Sequence, residues 1–116
     1  MHAEIVQIAE VLHDPRLQQR PVRITGRLER YDASKGLALI SFQGAQMTVE
    51  TTILSMDGGR ELRVGSMYQF LGDTYRTATT PVEIRLKARV FRNVDSLDID
   101  LFLEALELRR KFLARQ

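Results

Sequence analysis

The chain has 116 residues, 44% hydrophobic and 28% charged, with 7 glycines, 3 prolines and a formal net charge of +2. This is a single-domain length and a globular composition, which excludes wholesale disorder and collagen-like repeats. Cysteine is missing, which excludes disulfide scaffolds, thiolate zinc sites and thiol catalysis, and fits a reducing compartment. A free-standing polyanion binder would usually be more basic than +2, so any nucleic-acid contact is expected to be a local patch or to need a partner.

Residues 1–20 begin with Glu4-Ile5-Val6-Gln7-Ile8-Ala9-Glu10-Val11-Leu12, too short and too mixed in period to assign as helix or strand. His13-Asp14-Pro15 breaks the segment, because a residue before proline avoids helical angles. The opening Met1-His2-Ala3-Glu4 lacks the basic start and apolar stretch of a secretory signal. No run of about 18 apolar residues predicts a membrane span.

From Arg20 the period becomes two. Val22, Ile24, Gly26 and Leu28 point one way, Arg23, Thr25, Arg27 and Glu29 the other, which predicts a half-buried strand. Gly26 inside it predicts a bend or bulge. Asp32 to Gly36 is turn chemistry, with Gly36 able to take positive φ. Further strands are predicted over Leu37–Phe42, Gln46–Ile53, Ser66–Tyr75 and Val82–Phe91. Asp57-Gly58-Gly59 reads as a turn. In the last strand Ile84, Leu86, Ala88 and Val90 alternate with Arg85, Lys87 and Arg89.

The period then changes again. Asn93-Val94-Asp95-Ser96 offers capping side chains, and Leu97–Ala114 is helical by composition, with Asp98 and Asp100 in the first turn. Five strands in meander-like order followed by one helix predict a mainly β chain, a five-stranded OB-fold barrel with a C-terminal α-helix. The expected division is an N-terminal extension over 1–19, the barrel over 20–93 and a partner-binding helix over 94–116.

No catalytic constellation emerges. His2 is terminal and His13 precedes a turn, and no HExxH, GxSxG or GxxxxGK[ST] spacing occurs. Asp57-Gly58-Gly59 lacks the alternating ligands of a calcium loop. No cofactor and no metal are expected, and the chain is read as a non-enzyme.

The C-terminal helix carries more. With Ile99 at zero and about 100° per residue, Ile99, Phe102, Leu103, Leu106 and Leu113 fall within about 60° of zero. Leu101, Ala105, Leu108 and Phe112 cluster on the opposite side, near roughly 180–240°. Asp100, Glu104, Glu107 and Lys111 fill a polar sector between them. A helix lying on its own barrel needs one apolar stripe, so the second predicts a partner protein. The alternative is a helix sunk in a groove of its own fold. The outward Arg85, Lys87 and Arg89, with Arg23 and Arg27 on the first strand, are interleaved with Tyr31, Phe42, Tyr68, Phe70 and Tyr75. Such a set could meet a single-stranded nucleic acid, or be a solvated strand face whose aromatics belong to the core. Phe42 and Phe70 are expected in the core and Tyr75 at the surface.

Val22-Arg23-Ile24-Thr25-Gly26-Arg27-Leu28 with Tyr31-Asp32, Val64-Gly65-Ser66-Met67-Tyr68 with Leu71-Gly72, and Lys87-Ala88-Arg89-Val90 followed by Val94 to Phe112 together resemble the TEN-one family. That family is the smallest OB-fold subunit of the CST telomere-capping complex. The resemblance covers residues 20–113, and the small subunit of replication protein A is similar in architecture. It implies a non-enzymatic subunit in the nucleus, at telomeric chromosome ends. The expected partners are an STN-one-like OB protein, met through the C-terminal helix, and a larger telomere-binding subunit. Single-stranded telomeric DNA would be met weakly or only within the complex, where the assembly supports C-strand fill-in by polymerase alpha–primase. The family's first-strand arginine falls on Arg23 and its late helical aromatic on Phe112. Partner binding is therefore expected at Arg23, Leu101, Ala105, Leu108 and Phe112, and nucleic-acid contact at Arg27, Tyr75, Arg85, Lys87 and Arg89. The alternative is a replication protein A-like general single-strand-binding assembly.

Overall fold

The computed structural model describes residues 3–54 and 61–114; His2 and the Asp57-Gly58-Gly59 turn lie outside them. The elements run β1 (Glu4–Val6), α1 (Ile8–His13), a 3-10 turn (Pro15–Leu17), β2 (Pro21–Asp32), β3 (Leu37–Phe42), β4 (Ala45–Glu50), β5 (Met67–Arg76), β6 (Ile84–Asn93) and α2 (Ile99–Ala114). No helix of the described residues is long and apolar enough to cross a membrane.

The alternating apolar positions curl the sheet around one core. β2 is long enough to serve two neighbours. Its first half, Pro21 to Arg27, pairs antiparallel with β5, and Arg27 to Asp32 pairs antiparallel with β3. β3 pairs with β4, β4 lies parallel to β6, and β6 returns antiparallel to β5. The circuit β2-β3-β4-β6-β5-β2 closes, so no interior edge is left unpaired. This is the expected five-stranded OB barrel with a helix after it. Val22, Ile24, Leu28, Ile40, Val49, Phe70, Leu86 and Ala88 are fully enclosed. Tyr68, Phe70 and Phe91 form a ring cluster with centroids 5.8–6.3 Å apart. The buried Tyr68 hydroxyl accepts from the Arg63 N–H at 2.7 Å and donates to the Glu61 carbonyl, as a phenol inside a core must.

The irregularity expected at Gly26 falls three residues later, where the β2–β3 register slips between Leu28 and Arg30. Gly26 serves space: a Cβ there would stand 3.0 Å from the Ile40 Cβ. A second slip changes the reading of β6. Leu71 pairs with Val90 but Gly72 pairs with Ala88, so β6 carries an extra residue. Beyond such a bulge the side-chain alternation inverts. Val90, expected inside, is therefore half exposed, and Phe91 takes the core position. Gly72 permits the close approach, since a Cβ would lie 2.1 Å from the Lys87 carbonyl oxygen.

The unassigned N-terminal segment is part of the body. β1 pairs parallel with β2 along Val22–Ile24, and Val6, Ile8, Val11 and Leu17 are buried in the common core. The Thr74 hydroxyl donates to the Leu17 carbonyl at 3.1 Å, and so fastens the 3-10 turn to β5.

Candidate partner-binding helix and basic face

Helix α2 starts two residues later than expected. Asp98 is its cap, with the Leu101 N–H donating to Asp98 Oδ1 at 3.1 Å, the usual N-cap geometry. Asp95 has a different task. It accepts from the Met67 N–H at 2.6 Å and from Asn93 Nδ2 at 2.9 Å, which ties the start of β5 to the end of β6. The Met67 hydrogen bond, helped by Asn93, holds its carboxyl below the usual range.

Ile99, Phe102 and Leu103 pack against the core, and Leu106 is buried. Phe102 meets Phe42 edge to face, with centroids 6.2 Å apart. The opposite stripe stays in solvent: Leu101 is 62% exposed, Leu108 59% and Phe112 64%, and Ala105 beside them is exposed as well. The groove-bound alternative is thereby corrected, since none of these four is covered by the chain itself. One member of the first stripe is also corrected. Leu113 is 53% exposed, because the helix runs past the barrel after Leu106.

Arg23 is exposed on the outer face of β2, where Ile5, Arg23, Leu71 and Val90 stand abreast across four strands. It lies apart from the helical stripe along the chain, and no hydrogen bond or ion pair joins it to Leu101, Ala105, Leu108 or Phe112 among the described residues.

The basic face is more nearly neutral than its sequence suggests. Arg85 pairs with Glu83 at 2.8 Å, Lys87 with Glu50 at 3.7 Å and Arg89 with Asp73 at 3.4 Å. Tyr75 stands opposite Arg85 and donates its hydroxyl to Glu50 at 3.1 Å. Burial, with Glu50 beside it, raises the Tyr75 hydroxyl above its ordinary range. The Glu83 carboxylate likewise raises Arg85, so both keep their protons at neutral pH. Arg27 stands at the other end of β5, opposite Met67, and lines a depression with Phe42 and Ile99 at the root of α2. Among the interleaved aromatics, Phe42, Tyr68 and Phe70 are core and Tyr31 and Tyr75 are half-buried. Sequence reasoning missed the open cleft of about 800 Å³ beside Arg85, lined by Tyr31, Lys35, Leu39 and Thr48. The only signal for it was turn chemistry after β2.

A family described as telomere-capping CST complex subunits matches residues 1–116. The CST complex subunit TEN1 of Arabidopsis thaliana is 32% identical over 95 residues, spanning 82% of this chain and 72% of that protein. Among solved structures, a chain of the S. pombe Stn1–Ten1 complex superposes with a TM-score of 0.76 at 12% identity, over 96% of this chain and 94% of that one. S. pombe Ten1 alone superposes with a TM-score of 0.75 at 12% identity, over 95% and 99%. A putative aspartyl-tRNA synthetase from Leishmania major matches with a TM-score of 0.61 at 14% identity, over 80% of this chain but 21% of that one. The full-length family match and the plant relative, on a closed barrel followed by a two-faced helix, place this chain in the family of telomere-capping CST complex subunits.

Proposed function

We propose that the chain is the small, non-enzymatic OB subunit that pairs with an Stn1-type OB protein through the exposed stripe of α2. The observation that carries this reading is the solvent-facing run Leu101, Ala105, Leu108 and Phe112 on a helix whose other face is already used. Exposed apolar stripes of this kind mark protein contacts. A relative solved as an Stn1–Ten1 complex supports the choice of partner. Arg23 would add a barrel-to-barrel contact, since its guanidinium has no ion-pair partner among the described residues. Where the family aromatic can be Tyr, Phe112 has no hydroxyl to hydrogen-bond, so packing carries that position.

The pair would join a larger subunit at telomeres in the nucleus and support C-strand fill-in. Contact with single-stranded DNA by Tyr75, Arg85, Lys87 and Arg89 would be modest, because each cation already has a carboxylate to satisfy it. Arg27 stands at the other end of β5 from Tyr75, so its share in nucleic-acid contact would be smaller. Leu108→Asp should abolish co-purification with the Stn1-type subunit while the barrel stays folded by circular dichroism; retained co-purification would refute the reading. In the intact complex, Arg85→Glu or Lys87→Glu should weaken single-strand binding by about tenfold if the basic face takes part.

A further inference from the structure

The exposed stripe needs a helix held in one pose, and the hold is uneven along α2. Up to Leu106 the inner face is apolar and packed. Beyond it, the next inward positions are Arg110, half-buried, and Leu113, exposed. The eight residues after Leu106 extend roughly 12 Å at 1.5 Å per residue, and Leu108 and Phe112 sit on that stretch. Among the described residues, one side chain of the body is hydrogen-bonded to that stretch. Arg110 Nη2 donates to Glu10 Oε1 at 2.6 Å, and Arg110 Nη1 lies 2.6 Å from Glu10 Oε2. Glu10 Oε1 also accepts from the Gln7 N–H at 2.8 Å, closing the first turn of α1. Among the described residues this is the one ion pair between α2 and the rest of the chain.

We propose that Glu10 and Arg110 are positioning residues for partner binding. The N-terminal segment, through this two-pronged pair, sets the pose in which α2 offers Leu108 and Phe112. The inference rests on the docking reading above. Most surface ion pairs contribute little, but paired Arg–carboxylate forks with ideal geometry are the exception, and they fix direction as well as distance. Here the carboxylate is itself oriented by the Gln7 amide, and its helix is anchored by buried Ile8 and Val11. Apparent affinity falls in proportion to the fraction of molecules holding the competent pose.

The absence of cysteine allows spin labels at Gln46→Cys on β4 and Arg109→Cys on α2, in the full chain. Glu10→Gln keeps an acceptor for the Gln7 amide and removes the charge. It should broaden the label-to-label distance distribution and weaken binding to the purified Stn1-type subunit about fivefold. The swap Glu10→Arg with Arg110→Glu should restore part of the distribution and of the affinity, the lost acceptor for the Gln7 N–H accounting for the remainder, an outcome that a general loss of stability would not give. If the swap does not fold, Glu10→Gln decides alone. An unchanged distribution and affinity in Glu10→Gln would overturn the proposal, as would a folded swap that restores neither. Leu108→Asp, with the pair intact, separates the two claims. If it binds normally, the docking reading fails. If it loses the partner while Glu10→Gln binds normally, only the positioning role fails.

Discussion

Removing the ring of Phe112 probes the proposed interface without touching the fold. Phe112 leaves 64% of its surface in solvent, about 130 Å² for an aromatic side chain of roughly 200 Å², and burying that at ~25 cal/mol per Å² contributes ~3 kcal/mol. Phe112→Ala keeps the Cβ and the helix propensity, so the expected loss is about 2–3 kcal/mol, or about 30- to 150-fold in Kd for the Stn1-type subunit. Because the ring touches little of its own body, the isolated chain should unfold within about 0.5 kcal/mol of the parent. Titration calorimetry gives the first quantity and chemical denaturation the second. A Kd within threefold of the parent would rule out Phe112 as a buried anchor of the contact. So would a large loss of stability, since it would mean that the ring is covered by its own chain.

Other expectations follow from the fold. Gly72→Ala forces a Cβ against the Lys87 carbonyl and should cost 2 kcal/mol or more, about the upper range for overpacking; a midpoint in urea like the parent's would contradict the close approach. Ile8→Ala, in a segment that sequence patterning left unassigned, should destabilise by about 2–4 kcal/mol, as a barrel-core deletion does; a loss below 0.5 kcal/mol would show the segment to be detachable. Asp95 has a depressed folded pKa, so its stabilisation is present above the ordinary Asp range near 3.9 and is lost as pH falls through the lower folded value. The stability difference between parent and Asp95→Asn should therefore shrink as pH drops from neutral into that range. A difference that is constant with pH would count against the Met67 and Asn93 hydrogen bonds as its source.

The parts legible in the sequence were those set by short-range periodicity. The strand alternation from Val22 to Leu28, the enclosure of Phe42 and Phe70 and the two-sidedness of α2 depend only on which neighbours in the chain are apolar; Thr25 is the exception, expected on the outer side but buried, where Gln69 of β5 donates to its hydroxyl. Val90 was misread because its orientation is set by a bulge whose permissive residue, Gly72, lies in another strand. The N-terminal segment stayed dark because a three-residue strand and a six-residue helix are shorter than the windows in which period can be measured. Its anchors, Thr74 and Arg110, are far away in sequence. The basic patch looked freer than it is for the same reason: Glu50 and Asp73 meet Lys87 and Arg89 only through β4–β6 and β5–β6 pairing. Leu113 left its stripe because a helical wheel records direction but not where the barrel ends.

The most direct test of the outward stripe places a photo-crosslinking phenylalanine analogue at position 108, or at position 104 in the polar sector, and irradiates the purified complex with the Stn1-type subunit. An adduct to that subunit is expected from position 108, and little from position 104. An adduct from 104 with none from 108 would mean that the partner grips a different face of the helix.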